Sequence, residues 1–169
     1  LIGKDILTTH TVYWPTMLKA SNVPLPQTVF AHGWWLSGRE KMSKTTGNVV
    51  NPMDYAERYG PDAFRYFLLA EMSPGQDASF TDDAFVRRYN ADLANDLGNL
   101  LSRTTAMINK FADGMIPAPG EWSDMDRAIR ELAGEAIPKA SDAFDRLDFQ
   151  EGMAQVFRLV DAANKYVDE

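Results

Sequence analysis

Apolar residues return every three or four positions through most of the second half of this chain, a rhythm that predicts helices. Between residues 82 and 113, Phe85, Tyr89, Leu93, Leu97, Leu100, Leu101, Met107, Ile108 and Phe111 fall on one stripe of a long helix, closed by Gly114. Ser123 with Asp126 three residues on resembles a capping box, and it opens a helix to about residue 147 in which Pro138 is expected to place a kink. A last helix starts near Phe149 and turns Met153, Val156, Phe157, Val160 and Ala163 inward. Three such stripes cannot be buried singly, so the helices should pack on one another as an antiparallel bundle.

The first half has a shorter grain. Residues 6–20 read as helical although Pro15 lies inside them and removes a hydrogen bond. Pro24 and Pro26 break the chain before a β-type run at 28–31, and residues 34–37 suggest a second short strand. Asn51 is placed to cap a helix with Pro52 at its first position, and Gly60 ends it. Pro61 opens another helix with Phe64, Phe67, Leu68 and Met72 on one stripe, and residues 73–77 read as a loop. Strand and helix together predict the tail of an α/β nucleotide-binding fold, and the fold class is mainly α. No internal repeat or low-complexity segment is evident.

Composition narrows the picture further. With 169 residues, 45% hydrophobic and 24% charged, the chain can build a core under a soluble surface. No apolar run approaches the ~20 residues that span a bilayer, so no membrane segment is expected. Nor does the start carry a signal-peptide pattern. The absence of cysteine excludes disulfides and thiolate metal sites, two histidines leave little for a metal centre, and a cytoplasmic location is expected. A net charge of −7 argues against bulk nucleic-acid binding, so any such contact must be local. Asp82, Asp83, Asp124 and Asp126 read as solubility and helix-dipole features. The chain opens Leu1-Ile2-Gly3 without an initiator methionine and stops inside an amphipathic pattern, so a segment of a longer protein is expected.

Candidate chemistry concentrates in residues 38–48, Gly-Arg-Glu-Lys-Met-Ser-Lys-Thr-Thr-Gly-Asn. Lys41 and Lys44 stand three apart in a polar run bracketed by Gly38 and Gly47. Glycines at both ends should let the loop swing, and lysine binds phosphate as a compact point charge. Such a loop suits a triphosphate whose charge rearranges during reaction.

Lys-Met-Ser-Lys-Thr followed by Thr-Gly-Asn resembles the signature loop of class I aminoacyl-tRNA synthetases. Gly3-Lys-Asp-Ile6, His10, Tyr13-Trp-Pro15, His32-Gly-Trp-Trp35 and the run from Asn90 through Asn99 to Arg103 appear in order around it. Together they resemble the methionyl-tRNA synthetase family over essentially the whole chain. The resemblance implies a partial Rossmann-type catalytic domain over residues 1–78, with the signature loop at 41–45, followed by a truncated anticodon-binding helical bundle over 79–169.

The resemblance also implies roles. Lys41 and Lys44 would be catalytic. Gly3, Asp5, His32 and Lys44 would bind ATP and the adenylate, with Asp5 also suited to capping a helix. His10 would line the methionine pocket, and Asn99 with Arg103, four apart on one helix face, would contact the CAU anticodon. Trp34 and Trp35 are read as core. The implied reaction joins methionine to tRNA(Met) through methionyl-adenylate, with Mg-ATP as substrate. Thr45 stands where the family more often has serine, a change that keeps the hydroxyl. The His-Ile-Gly-His motif, the zinc-binding insertion and the Ala-Pro-Trp segment of the family are absent, so the segment alone is expected to be inactive. Two alternatives stay open: a leucine, valine or isoleucine enzyme sharing the loop, or a non-catalytic RNA-binding helical module. No oligomeric state follows from the sequence.

Overall fold

The computed structural model describes residues 1–168. It is mostly helical with short strands. The chain divides into two compact units, one of Leu1–Asn51 with Glu71–Thr81, the other of Pro52–Ala70 with the residues from Asp82 on.

In the first unit, strand β1 (Ile2–Gly3) leads through a 3-10 turn (Lys4–Ile6) and a π-helical stretch (Thr9–Tyr13) into helix α1 (Trp14–Ala20). The helical reading of residues 6–20 therefore holds, and Pro15 is tolerated because it falls in the first turn of α1. β1 pairs in parallel with β2 (Ala31–His32), Gly3 opposite His32. Only Ala31 of the run expected at 28–31 lies in a strand. The partner supplies two residues of ladder, and one further bond, from Ile2 N–H to the Phe30 carbonyl (2.9 Å), carries it no farther back.

Strand β3 (Trp35–Ser37) turns back antiparallel onto β4 (Glu40–Lys41), with Ser37 opposite Glu40. The two-residue connection has Gly38 at φ 64°, the left-handed position a tight hairpin turn requires. On its other edge β3 pairs in parallel with β5 (Ala78–Phe80), a strand that sequence reading missed. Ala78 and Phe80 are buried and Ser79 is exposed, but three residues of alternation are too few to stand out in a sequence. Gly33 makes this arrangement possible: a Cβ there would lie 1.8 Å from the Gln76 carbonyl oxygen.

The second unit opens with α2 (Pro52–Tyr59) and α3 (Pro61–Glu71), separated by Gly60 at φ 88°. Helix α4 (Asp82–Arg88) passes through a π-helical segment (Tyr89–Gly98) into α5 (Asn99–Phe111). Phe85 is fully buried, with Tyr59 at 4.9 Å, Tyr55 at 5.0 Å and Phe67 at 5.3 Å between ring centroids. Leu97, Leu101, Met107 and Phe111, expected on the inward stripe, are exposed. A π turn closes i to i+5 and holds more residues than an α turn, so the stripe slips round the axis as it crosses 89–98.

Helix α6 (Asp124–Asp145) begins with the expected capping box and runs on through Pro138. A three-residue turn with Leu147 at φ 63° leads to α7 (Phe149–Asp168). The two pack closely through small residues. Ala136, Ala140 and Ala143 are buried on α6, and a Cβ on Gly152 of α7 would meet the Phe144 ring at 2.4 Å. Val160 is buried as expected, whereas Val156 is exposed and Gly152 takes the inward position one turn earlier. No described helix is long and apolar enough to cross a membrane.

Candidate functional site

The carboxyl ends of the parallel strands β1 and β2 bring three of the expected residues together. A Cβ on Gly3 would lie 2.6 Å from Asp5 Oδ1 and 3.9 Å from His32 Cε1. The Asp5 carboxylate thus rests against backbone that only glycine leaves open. His32 holds its Nδ1 2.8 Å from the Gly33 carbonyl; a carbonyl only accepts, so Nδ1 donates and Nε2 is left to face other partners. The trio thus stands at the carboxyl ends of a short parallel strand pair.

His10 has other neighbours. Its Nδ1 donates to the Ile6 carbonyl at 2.9 Å, one helical turn back, and its ring meets Trp14 edge-on at 6.0 Å. The bond fixes the imidazole on the helix.

The lysine loop leaves β4 and is tied by Asn48. The Asn48 Oδ1 accepts from the Ser43 N–H at 2.7 Å and from the Thr46 hydroxyl at 2.8 Å, while its Nδ2 donates to the Lys41 carbonyl at 3.3 Å. Ser43 Oγ accepts from the Thr45 N–H at 3.2 Å. Gly38 and Gly47 both take left-handed backbone, at φ 64° and 69°, so they serve as turn positions. The side chain of Lys44 is left exposed at the tip of this knot, and Lys41 is exposed at its base. Asn48 belongs to the motif, but nothing in its spacing announces that it ties the loop.

Trp34, read as core, is half-buried and carries charge instead. Lys4 Nζ lies 4.3 Å and Lys41 Nζ 4.2 Å from its ring centroid. Asp77 Oδ1 accepts the Trp34 N–H at 2.8 Å and meets Lys4 Nζ at 2.6 Å. The Lys4 bond first, then the Trp34 N–H, holds the Asp77 carboxyl below the usual carboxylate range. Sequence reading placed Asp77 in a loop and gave Lys4 no role, because their meeting is 73 positions from adjacency.

In the second unit, Asn99 and Arg103 line an open groove of about 340 Å³ with Asn95, Asp96, Asn164 and Asp168. Arg103 pairs with Asp168, which takes one edge of the guanidinium. Asn164 Nδ2 donates to the Asp96 carbonyl at 3.0 Å, tying α7 to the π segment. Burial, then the neighbouring Asp161 and Asp92, pushes the Asp96 carboxyl up. Asp96, Asp161 and Asp168 stand in this groove with Arg103 and Lys165, so its lining is of mixed charge.

Residues 1–105 match the family model described as tRNA synthetases class I (M). The chain belongs to the methionyl-tRNA synthetase family. It is 47% identical to the methionine–tRNA ligase of Caldanaerobacter subterraneus subsp. tengcongensis over 169 residues, covering 100% of this chain and 26% of that protein. The Lactococcus lactis and Bacillus subtilis ligases are 49% and 48% identical, again over 100% of this chain and 26% of each. Mycobacterium tuberculosis methionyl-tRNA synthetase bound by methionyl-adenylate superposes with a TM-score of 0.92 at 43% identity, covering 99% of this chain and 33% of that one. The chain therefore spans about a quarter of the curated relatives it matches.

Membership in the methionyl-tRNA synthetase family sets aside the leucine, valine or isoleucine enzyme. It does not assign Asn48, Trp34 or Asp77, whose parts are visible only in the contacts.

Proposed function

We propose that this chain is the portion of a methionine–tRNA ligase that carries the mobile half of the adenylation site and part of the anticodon site. Residues 1–78 would belong to a Rossmann-type catalytic domain, and residues 79–169 to an antiparallel anticodon-binding bundle. Substrates of the whole enzyme are methionine, ATP with its Mg²⁺, and tRNA(Met).

The observation that carries the reading is the signature loop, knotted by Asn48 so that its Lys44 ammonium projects into solvent. In the first step a methionine carboxylate oxygen attacks the α-phosphorus, the bond from that phosphorus to the bridging oxygen breaks, and pyrophosphate leaves. Negative charge accumulates on the leaving oxygens. Lys41 and Lys44 stabilise that charge more strongly in the transition state than in bound ATP, which is what accelerates a reaction. Gly3, Asp5 and His32 hold the ribose and adenylate, Asp5 accepting from two sugar hydroxyls, and His10 borders the methionine side chain. In the second step the terminal tRNA hydroxyl attacks the activated carbonyl, loses its proton, and AMP departs. Asn99 and Arg103 read anticodon bases, the amide as donor and acceptor and the guanidinium through its free edge.

In the full-length enzyme, Lys44→Ala should slow methionine-dependent ATP–pyrophosphate exchange by about 10²–10³ with little change in methionine affinity. An unaltered rate removes the loop from the mechanism.

A further inference from the structure

Asp5 is exposed, and among the described residues no cation or hydrogen-bond donor engages its carboxylate. Its aim therefore depends on the backbone that carries it. That backbone is slight. β1 offers two residues of ladder, Ile2 opposite Ala31 and Gly3 opposite His32. The chain then enters a single 3-10 turn, Lys4–Ile6, closed by the Leu7 N–H on the Lys4 carbonyl, with Asp5 as its middle residue. What pins this turn is the side chain of its first residue. Lys4 Nζ reaches Asp77 Oδ1 at 2.6 Å and lies 4.3 Å from the Trp34 ring centroid. The two side chains of the pair are 36% and 32% exposed, so water competes for them less than at an open surface, where ion pairs hold little. Asp77 is itself anchored. The same Oδ1 accepts the Trp34 N–H at 2.8 Å, and the next residue, Ala78, donates its N–H to the Trp34 carbonyl at 2.9 Å.

We infer that Lys4 and Asp77 are positioning residues for Asp5: their ion pair ties the turn that carries the ribose-binding carboxylate to the paired strands β3 and β5. The inference rests on the reading above that Asp5 accepts from the sugar hydroxyls, and it adds the two residues that aim it. Neither has to touch nucleotide. Lys4 directs its charge to Asp77, away from its neighbour in the chain, and acts on Asp5 through the backbone they share. A carboxylate that must meet two hydroxyls at once tolerates little displacement, since a misplacement on the order of 1 Å in a positioned group costs about 10²-fold. Groups that bind or react are held best when a second set of contacts ties them to a rigid element, and a strand pairing serves here where the 3-10 turn alone would not.

The 2′-hydroxyl of the nucleotide reports this role. In the full-length enzyme, kcat/KM for methionine-dependent pyrophosphate exchange should favour ATP over 2′-deoxy-ATP about tenfold or more, the order of one hydrogen bond to a charged group. Lys4→Met should narrow that ratio about three- to tenfold, through KM for ATP and with KM for methionine unchanged. The substitution leaves the Asp77–Trp34 bond in place, so the strands keep their tie. A lysine that only supported the fold, or that bound phosphate directly, would on removal lower both nucleotides alike and leave the ratio where it was. Asp77→Asn approaches the pair from its other end and keeps an acceptor for the Trp34 N–H. It should narrow the ratio as well, and it carries the test if Lys4→Met does not fold. Asp5→Ala separates the inference from the reading beneath it. A ratio narrowed by Asp5→Ala but unmoved in a folded Lys4→Met or Asp77→Asn enzyme overturns the inference and leaves the ribose reading standing. A ratio unmoved by Asp5→Ala overturns the ribose reading, and the inference with it.

Discussion

Asp77 holds Trp34 by its backbone, accepting the N–H at 2.8 Å with the same oxygen that meets Lys4 Nζ at 2.6 Å. One carboxylate thereby fixes a strand entry and a lysine from the start of the chain. Because these bonds depress the Asp77 pKa below its value in the unfolded chain, their stabilisation is complete above the ordinary value of 3.8 and is lost as pH falls through the depressed folded value. Asp77→Asn keeps an acceptor for Trp34 but leaves Lys4 uncompensated. Thermal midpoints of the wild type should fall more steeply below about pH 4 than those of Asp77→Asn; parallel profiles would show that the carboxylate contributes nothing through its charge.

Asn48→Ala tests whether the knot, and not only its lysines, matters. The substitution removes the acceptor used by Ser43 N–H and the Thr46 hydroxyl, in a loop that is largely exposed. Folding stability should change by less than about 0.5 kcal/mol, as for other surface substitutions. The exchange rate should drop about tenfold or more, because a loop with many conformations seldom presents both ammonium groups in reacting geometry. Full activity with Asn48→Ala would reduce the knot to decoration.

Gly33 and Phe85 mark where the two units are intolerant. A methyl on Gly33 would lie 1.8 Å from a backbone oxygen, which cannot rotate aside, so Gly33→Ala should cost at least the ~1–3 kcal/mol typical of overpacking. Phe85 is fully buried among Tyr55, Tyr59 and Phe67, and Phe85→Ala should cost about 3–5 kcal/mol. Urea unfolding measures both. Losses well under 1 kcal/mol would mean that the sheet or the aromatic cluster relaxes freely.

The helices were readable because their signals are local. Asn51-Pro52, Gly60-Pro61 and Ser123 with Asp126 each mark a terminus within a few residues, and the structure begins α2, α3 and α6 there. What escaped was non-local or out of phase. β5 is defined by its pairing with β3, some forty residues earlier, and nothing in Ala78-Ser-Phe80 names that partner. Leu97 and Leu101 were assigned inward on a 3.6-residue period that the π segment breaks. At the candidate site the loop and the Gly3, Asp5 and His32 positions came from motif order, whereas Trp34, as an aromatic residue, reads as core. Its use as a cation platform depends on Lys4, Lys41 and Asp77 converging from three separate stretches.

Arg103 offers the sharpest separation of the two proposed sites. Its guanidinium pairs with Asp168 through one edge and leaves the rest of a planar fork over the groove that Asn99 lines. Lysine keeps the charge but cannot present two parallel donors to a base. Arg103→Lys in the full-length enzyme should therefore raise KM for tRNA about tenfold, the order of one lost bidentate base contact, while ATP–pyrophosphate exchange without tRNA is untouched. Binding through charge alone would leave Arg103→Lys near wild type and steeply sensitive to salt. If exchange fell together with tRNA affinity, Arg103 would be acting on the fold and its place in anticodon reading would be lost.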